Sequence, residues 1–169
     1  EDLKTISAPT DFMGINVYAP THYVQAASNE QGYEFLPFAK SHPTSTSTWQ
    51  MLGPESLYWG AKLAHKVWNV KEIYVTENGM SGTDELTTDN KVYDTDRITF
   101  LRNYLSQLQR ATAQGVPVKG YFYWSLMDNF EWTGGYGIRF GLYHVDYQTQ
   151  KRTPKMSAAY FKEMASANK

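Results

Sequence analysis

Glu77 stands where an apolar strand run stops. Residues 72–77 read Glu, Ile, Tyr, Val, Thr, Glu and are broken at once by Asn78 and Gly79. A carboxylate so placed points into whatever lies above the strand end, where it can serve acid–base or nucleophilic chemistry. Alone, such an acid reads equally as a solvated strand end or a helix cap. Asn16 and Tyr18 close a second run, 11–18. Trp124 and Ser125 close a third, 118–125, with Asp128, Glu131 and Trp132 just beyond it. Indole and phenol rings are apolar in body and polar at the tip, so beside carboxylates they suit a binding cleft. A well-filled core would use the same rings.

The elements that must hold these residues alternate. Each strand run is followed by a helical pattern. Gly53, Pro54 and Glu55 announce the first helix, since Pro suits the first helical position and an acid suits the first turn. Its stripe is Leu57, Ala61, Ala64 and Trp68, widened by Tyr58 and Val67. Asp94 is a candidate cap for the next helix, whose face carries Ile98, Leu101, Leu105, Leu108 and Ala111 before Gly115 and Pro117 end it. The last helix is expected to open at Thr153 and Pro154 and to run through Met164. Between the first strand and first helix lies a long stretch that reads as a loop, Ser- and Thr-rich at 44–48. Strand–helix alternation predicts an α/β chain with a parallel sheet. A (β/α)₈ barrel and a doubly wound sheet both gather chemistry at the C-terminal strand ends. No glycine-rich phosphate loop follows any of the strands, which weighs against a nucleotide role.

Composition narrows the classes further. The 169 residues carry a formal charge of −1, which argues against a phosphate-backbone binder. Cys is absent, removing disulfides, thiolate nucleophiles and Cys-based zinc sites. The four His are scattered, so no His-rich metal site is expected. No apolar run has the length of a membrane span, so neither nucleic acid nor membrane is expected as a partner. The chain opens without Met, as a processed chain or a fragment would. The absence of Cys fits a cytoplasmic setting. With 8 Phe, 5 Trp and 13 Tyr, aromatics are the conspicuous class.

Three strings carry a closer resemblance: residues 11–18, the Thr76, Glu77, Asn78, Gly79 string, and residues 123–132 with Asp128, Asn129, Phe130, Glu131 and Trp132. In this order and spacing they resemble the C-terminal part of a family 1 glycoside hydrolase, the β-glucosidase family, over essentially the whole chain. The resemblance implies a (β/α)₈ TIM barrel of which residues 1–169 form only the C-terminal portion, about strands six to eight with their helices. Glu77 then matches the nucleophile of a retaining glycosidase, an enzyme with two carboxyl groups about 5–5.5 Å apart. Tyr18 matches the tyrosine that orients that carboxylate, and Asn16 the asparagine beside it. Trp124 matches the platform on which the sugar stacks. Glu131 and Trp132 match the residues that hold its distal hydroxyls. Trp49 and Phe140 resemble wall residues of the cleft. Arg97 resembles a structural helix residue, and Tyr104 stands where many relatives have His, a departure expected to concern packing.

The same resemblance shows what the chain lacks. The family's acid/base glutamate lies in an Asn-Glu-Pro motif, and none occurs here. A complete barrel needs about 250 residues. The expected partners are therefore a β-glucoside and an N-terminal complementary part of the barrel; no cofactor or metal is expected. The alternative is an inactive fragment or split-barrel piece with at most weak carbohydrate binding.

Overall fold

The computed structural model describes residues 1–167. Its elements in order are α1 (Asp2–Ile6), β1 (Met13–Asn16), β2 (Tyr23–Ala26), β3 (Tyr33–Leu36), α2 (Glu55–Trp68), β4 (Ile73–Asn78), α3 (Thr95–Ala113), β5 (Val118–Tyr123), a 3₁₀ turn (Trp132–Gly134), β6 (Tyr143–Val145), β7 (Arg152–Pro154) and α4 (Met156–Ala167).

Strands β1, β4 and β5 form one parallel sheet in that order. β1 leads through α2 to β4, and β4 through α3 to β5, each time to the strand immediately beside it. Crossovers between parallel strands are right-handed, so stepping one way across the sheet puts successive helices on one face. Burial agrees with this. Ile73 and Val75 of β4 are fully buried against Leu57, Tyr58 and Ala61 of α2 and Phe100, Leu101 and Tyr104 of α3. On the opposite face Gly14, Asn16 and Thr76 are exposed, and Phe122 is 58 % exposed. A doubly wound sheet would cover both faces. The chain is thus α/β and singly wound.

The parallel ladder is irregular between Ile15 and Asn16 and again between Val75 and Asn78. Such irregularities re-aim side chains at a strand end. Here they break the two-residue alternation: Thr76 is exposed, Glu77 half-buried and Asn78 fully buried. Gly79 follows where a Cβ would lie 1.9 Å from the Trp124 carbonyl oxygen. Only glycine lets the ends of β4 and β5 approach so closely.

The loops after β4 and β5 are joined by buried charge. Arg97, fully buried on α3, donates to Asp84 and Asp94 and to the backbone carbonyls of Met80 and Arg139. Lys155, 1 % exposed, bridges Asp84 at 2.6 Å and Asp128 at 2.7 Å. Asp128 also accepts from Arg139 at 2.6 Å and from the Gly141 amide at 2.9 Å. Three cations meet three carboxylates, so each buried charge is compensated.

Several details differ from the sequence reading. The stretch read as a loop contains an antiparallel hairpin, β2 with β3. Val67 and Trp68, placed on the helix stripe, are 65 % and 63 % exposed, because the stripe's buried part ends at Ala64. Asp94 precedes α3 but makes no side-chain cap. Its carboxylate is spent on Arg97 and on the amide and hydroxyl of Ser157. Thr153 and Pro154 pair with His144 and Tyr143 as a strand, so the last helix starts at Met156.

Candidate active site

The C-terminal ends of β1 and β5 flank that of β4, which carries Glu77. Asn16 pairs with Glu77 in the register. The Val17 amide donates to the Glu77 carbonyl at 3.0 Å, and the Asn78 side chain donates to the Val17 carbonyl at 2.7 Å. Those bonds fix the turn that presents Tyr18. Its hydroxyl donates to the Glu77 carboxylate at 2.6 Å, the short length of a charge-assisted bond. Burial, the bond to Glu77 and the charges of Glu77 and Glu131 all push the Tyr18 phenol well above its ordinary pKa. Tyr18 therefore stays a proton donor to Glu77 across the physiological range.

On the neighbouring strand end, the Trp124 indole N–H donates to the Glu131 carboxylate at 3.4 Å. Both residues are half-buried. The Tyr18 ring is flanked edge-on by Trp49 at 5.8 Å and by Phe140 at 6.2 Å between centroids. Phe140 is 2 % exposed, whereas Trp49 is 57 % exposed. The structure thus gathers Glu77, Tyr18, Trp49 and Phe140 into one contact cluster, with the Trp124–Glu131 pair at the adjoining strand end. Asn16 lies beside Glu77, but its side-chain oxygen accepts from Thr76 at 2.7 Å. Trp132 is not packed into the cluster: it is 83 % exposed at the 3₁₀ turn.

Residues without a strand-end position also shape the site. The Tyr104 hydroxyl donates to the Tyr18 carbonyl at 3.2 Å and accepts from the Gly53 amide at 2.9 Å. The expectation that Tyr104 concerns packing alone is therefore incomplete, since a hydroxyl on α3 anchors the backbone of Tyr18. The Tyr121 hydroxyl donates to the Asn78 side chain at 2.7 Å. Gln50, fully buried, donates to the Gly79 carbonyl at 2.6 Å. No local sequence pattern marks these contacts, because each acts across the fold.

Among the described residues, no cluster of His, Asp and Glu has the make-up of a metal site. No helix among them is long and apolar enough to cross a membrane. The arrangement offers a carboxylate held by a phenol, a second carboxylate beside an indole, and aromatic walls.

Comparison with known proteins gives the family of the chain. The profile of Glycosyl hydrolase family 1 matches residues 1–169. The chain is 39 % identical over 169 residues to a 1,4-beta-D-glucan glucohydrolase of Thermotoga neapolitana, covering 99 % of this chain and 37 % of that protein. It is 37 % identical over 183 residues to a 6-phospho-beta-galactosidase of Leptotrichia buccalis, covering 98 % of this chain and 39 % of that protein. A solved structure, the beta-glucosidase from Thermotoga maritima in complex with azafagomine, superposes with a TM-score of 0.86 at 37 % identity. That match covers 99 % of this chain and 37 % of the solved one. The chain belongs to glycosyl hydrolase family 1. It spans somewhat over a third of the length of these relatives and aligns with part of a TIM-barrel glycosidase.

Proposed function

We propose that residues 1–169 are the C-terminal part of a retaining β-glucosidase barrel, with β1, β4 and β5 as its sixth, seventh and eighth strands. In this reading Glu77 attacks the anomeric carbon of a terminal β-D-glucosyl residue. The glycosidic bond breaks as the leaving oxygen takes a proton from a second carboxylic acid, leaving a glycosyl-enzyme ester. Water, deprotonated by that same group, then releases the sugar and frees Glu77. The second group belongs to a part of the barrel outside these 169 residues. No metal or organic cofactor enters this chemistry.

The observation that carries the reading is the 2.6 Å bond from Tyr18 to Glu77 at the ends of adjoining parallel strands, with Trp124 and Glu131 on the next. Tyr18 orients the nucleophile and Asn16 lines the site beside it. The Trp124 face supports the apolar side of the sugar, while Glu131 and Trp132 hold its distal hydroxyls. Trp49 and Phe140 form walls, Trp49 on the leaving-group side. A relative named for a phosphorylated galactoside is nearly as similar as one named for a glucan, so overall identity does not choose the substrate. Glu131 does, because its carboxylate would repel a sugar 6-phosphate. Unphosphorylated glucosides fit.

The outer edges of β1 and β5 are unpaired among the described residues, and Phe122 on the uncovered face is exposed. Open edges seek pairing. An N-terminal complementary part of the barrel would supply it.

Hydrolysis of an aryl β-glucoside by this chain, with and without that N-terminal part, tests the proposal. Turnover on mixing is expected. An inactive but assembled complex would overturn it in favour of a fragment that only binds sugar.

A further inference from the structure

Ser81 lies beyond Glu77 on the same chain segment and is fully buried, yet the proposed reaction gives it no part. Its hydroxyl is the centre of four contacts, all to one loop. It accepts from the Thr46 hydroxyl at 2.7 Å and from the Ser47 amide at 3.0 Å, and it donates to the Ser47 hydroxyl at 3.0 Å. The Ser45 hydroxyl lies 3.0 Å away as well. Beside this knot the Gln50 side chain donates to the Gly79 carbonyl, and the Ser45 amide donates to the Gln50 carbonyl at 3.1 Å. The Thr44–Met51 bridge closes the loop at its base. The loop is therefore fastened at Ser81 and Gly79, both on the segment that leaves Glu77.

Trp49 sits between these two fastenings. More than half of it is exposed, and its ring meets that of Tyr18 edge-on at 5.8 Å. With that much of the ring exposed, its place depends on where the loop backbone sets it. We infer that Ser81 is a positioning residue: it locks the 44–50 loop to the segment that follows the nucleophile's strand and so sets Trp49 against Tyr18 on the leaving-group side. The Ser and Thr alternation at 44–48 gains a reason, since Ser45, Thr46 and Ser47 supply the groups that Ser81 gathers. This inference rests on the proposed placement of Trp49 in a glycosidase cleft.

The test is kinetic, on the glycosidase assembled from this chain and the rest of its barrel. Ser81→Ala removes a buried hydroxyl with several partners and is expected to raise KM for an aryl β-glucoside about tenfold, with kcat changed by less than about twofold. The inhibition constant of a monosaccharide inhibitor with no leaving group should stay as in the parent. In a Trp49→Ala background, Ser81→Ala should add nothing further, because its effect runs through that ring. Thr46→Val, at an exposed position, removes only the 2.7 Å bond and should give a smaller KM rise of about threefold. Multiplying effects of Ser81→Ala and Trp49→Ala, or a parallel loss of monosaccharide affinity, would overturn the inference. Covalent labelling of Glu77 by a 2-fluoroglucoside separates the two levels. If Glu77 labels normally while those kinetic outcomes fail, only the role of Ser81 is lost. If the parent does not label at Glu77, the functional reading itself fails.

Discussion

Lys155→Met cuts the buried charge cluster where a single side chain bridges Asp84 and Asp128. The lysine is 1 % exposed and its ammonium lies 2.6 Å and 2.7 Å from the two carboxylates. Met keeps most of the stem volume, so the change is mainly electrostatic. Removing one member of a buried ion pair costs about 3–5 kcal/mol, because it strands the other charge. Here Asp84 keeps Arg97 and Asp128 keeps Arg139, which favours the lower end, about 3 kcal/mol. The assay is urea unfolding of the assembled protein, parent against variant, with the loss read from the midpoint and slope. Lys91→Met is the control, since its pair with Asp89 is solvent-exposed and should leave the midpoint unchanged. A loss for Lys155→Met below about 1 kcal/mol, the range of an exposed pair, would refute the view that buried charge ties the two site loops together.

Other expectations follow from single contacts. Tyr18→Phe keeps the ring contacts with Trp49 and Phe140 but loses the bond to Glu77, so kcat/KM for an aryl β-glucoside should fall about 10- to 100-fold in steady-state assays. An unchanged value would show that the phenol does not orient the nucleophile. Gly79→Ala puts a Cβ 1.9 Å from the Trp124 carbonyl oxygen, forcing β4 and β5 apart, and both sugar affinity and thermal stability should drop together. Asp84 gives a pH dependence. Burial alone would raise its carboxyl pKa, but Arg97 and Lys155 outweigh that and hold it below the ordinary value of 3.8. A depressed folded pKa means stability that is complete above 3.8 and is lost as pH falls further through the folded value. Asp84→Asn should therefore flatten the acid side of a stability–pH curve; an unchanged acid limb would contradict the assignment.

The strand ends were legible because an apolar run that stops on a charged residue is a local signal. The run at 72–77 predicts a strand, and the strand is Ile73–Asn78. The β2–β3 hairpin was not legible, because β3 is exposed throughout and β2 nearly so. With no buried face, no period-two pattern is imposed. Asp94 shows a local rule losing to a distant one: its spacing suits a cap, but Arg97 and Ser157 claim the carboxylate. Thr153 and Pro154 show the same, since pairing with β6 outweighs their preference for a helix start. For the candidate site, the strand-end placement of Asn16, Glu77 and Trp124 could be read from the sequence. The contacts of Tyr104, Gln50 and Ser81 could not, because each joins segments far apart in sequence and only the fold brings them together.

The role of Glu77 is open to direct measurement. The assembled glycosidase is incubated with a 2-deoxy-2-fluoro-β-glucoside bearing a good leaving group, digested, and its peptides weighed. Slow turnover of the ester should leave one fluoroglucosyl group on the peptide containing Glu77, and Glu77→Gln should abolish it. A label on another carboxylate, or hydrolysis that proceeds with none accumulating on Glu77, would contradict the assignment of Glu77 as nucleophile.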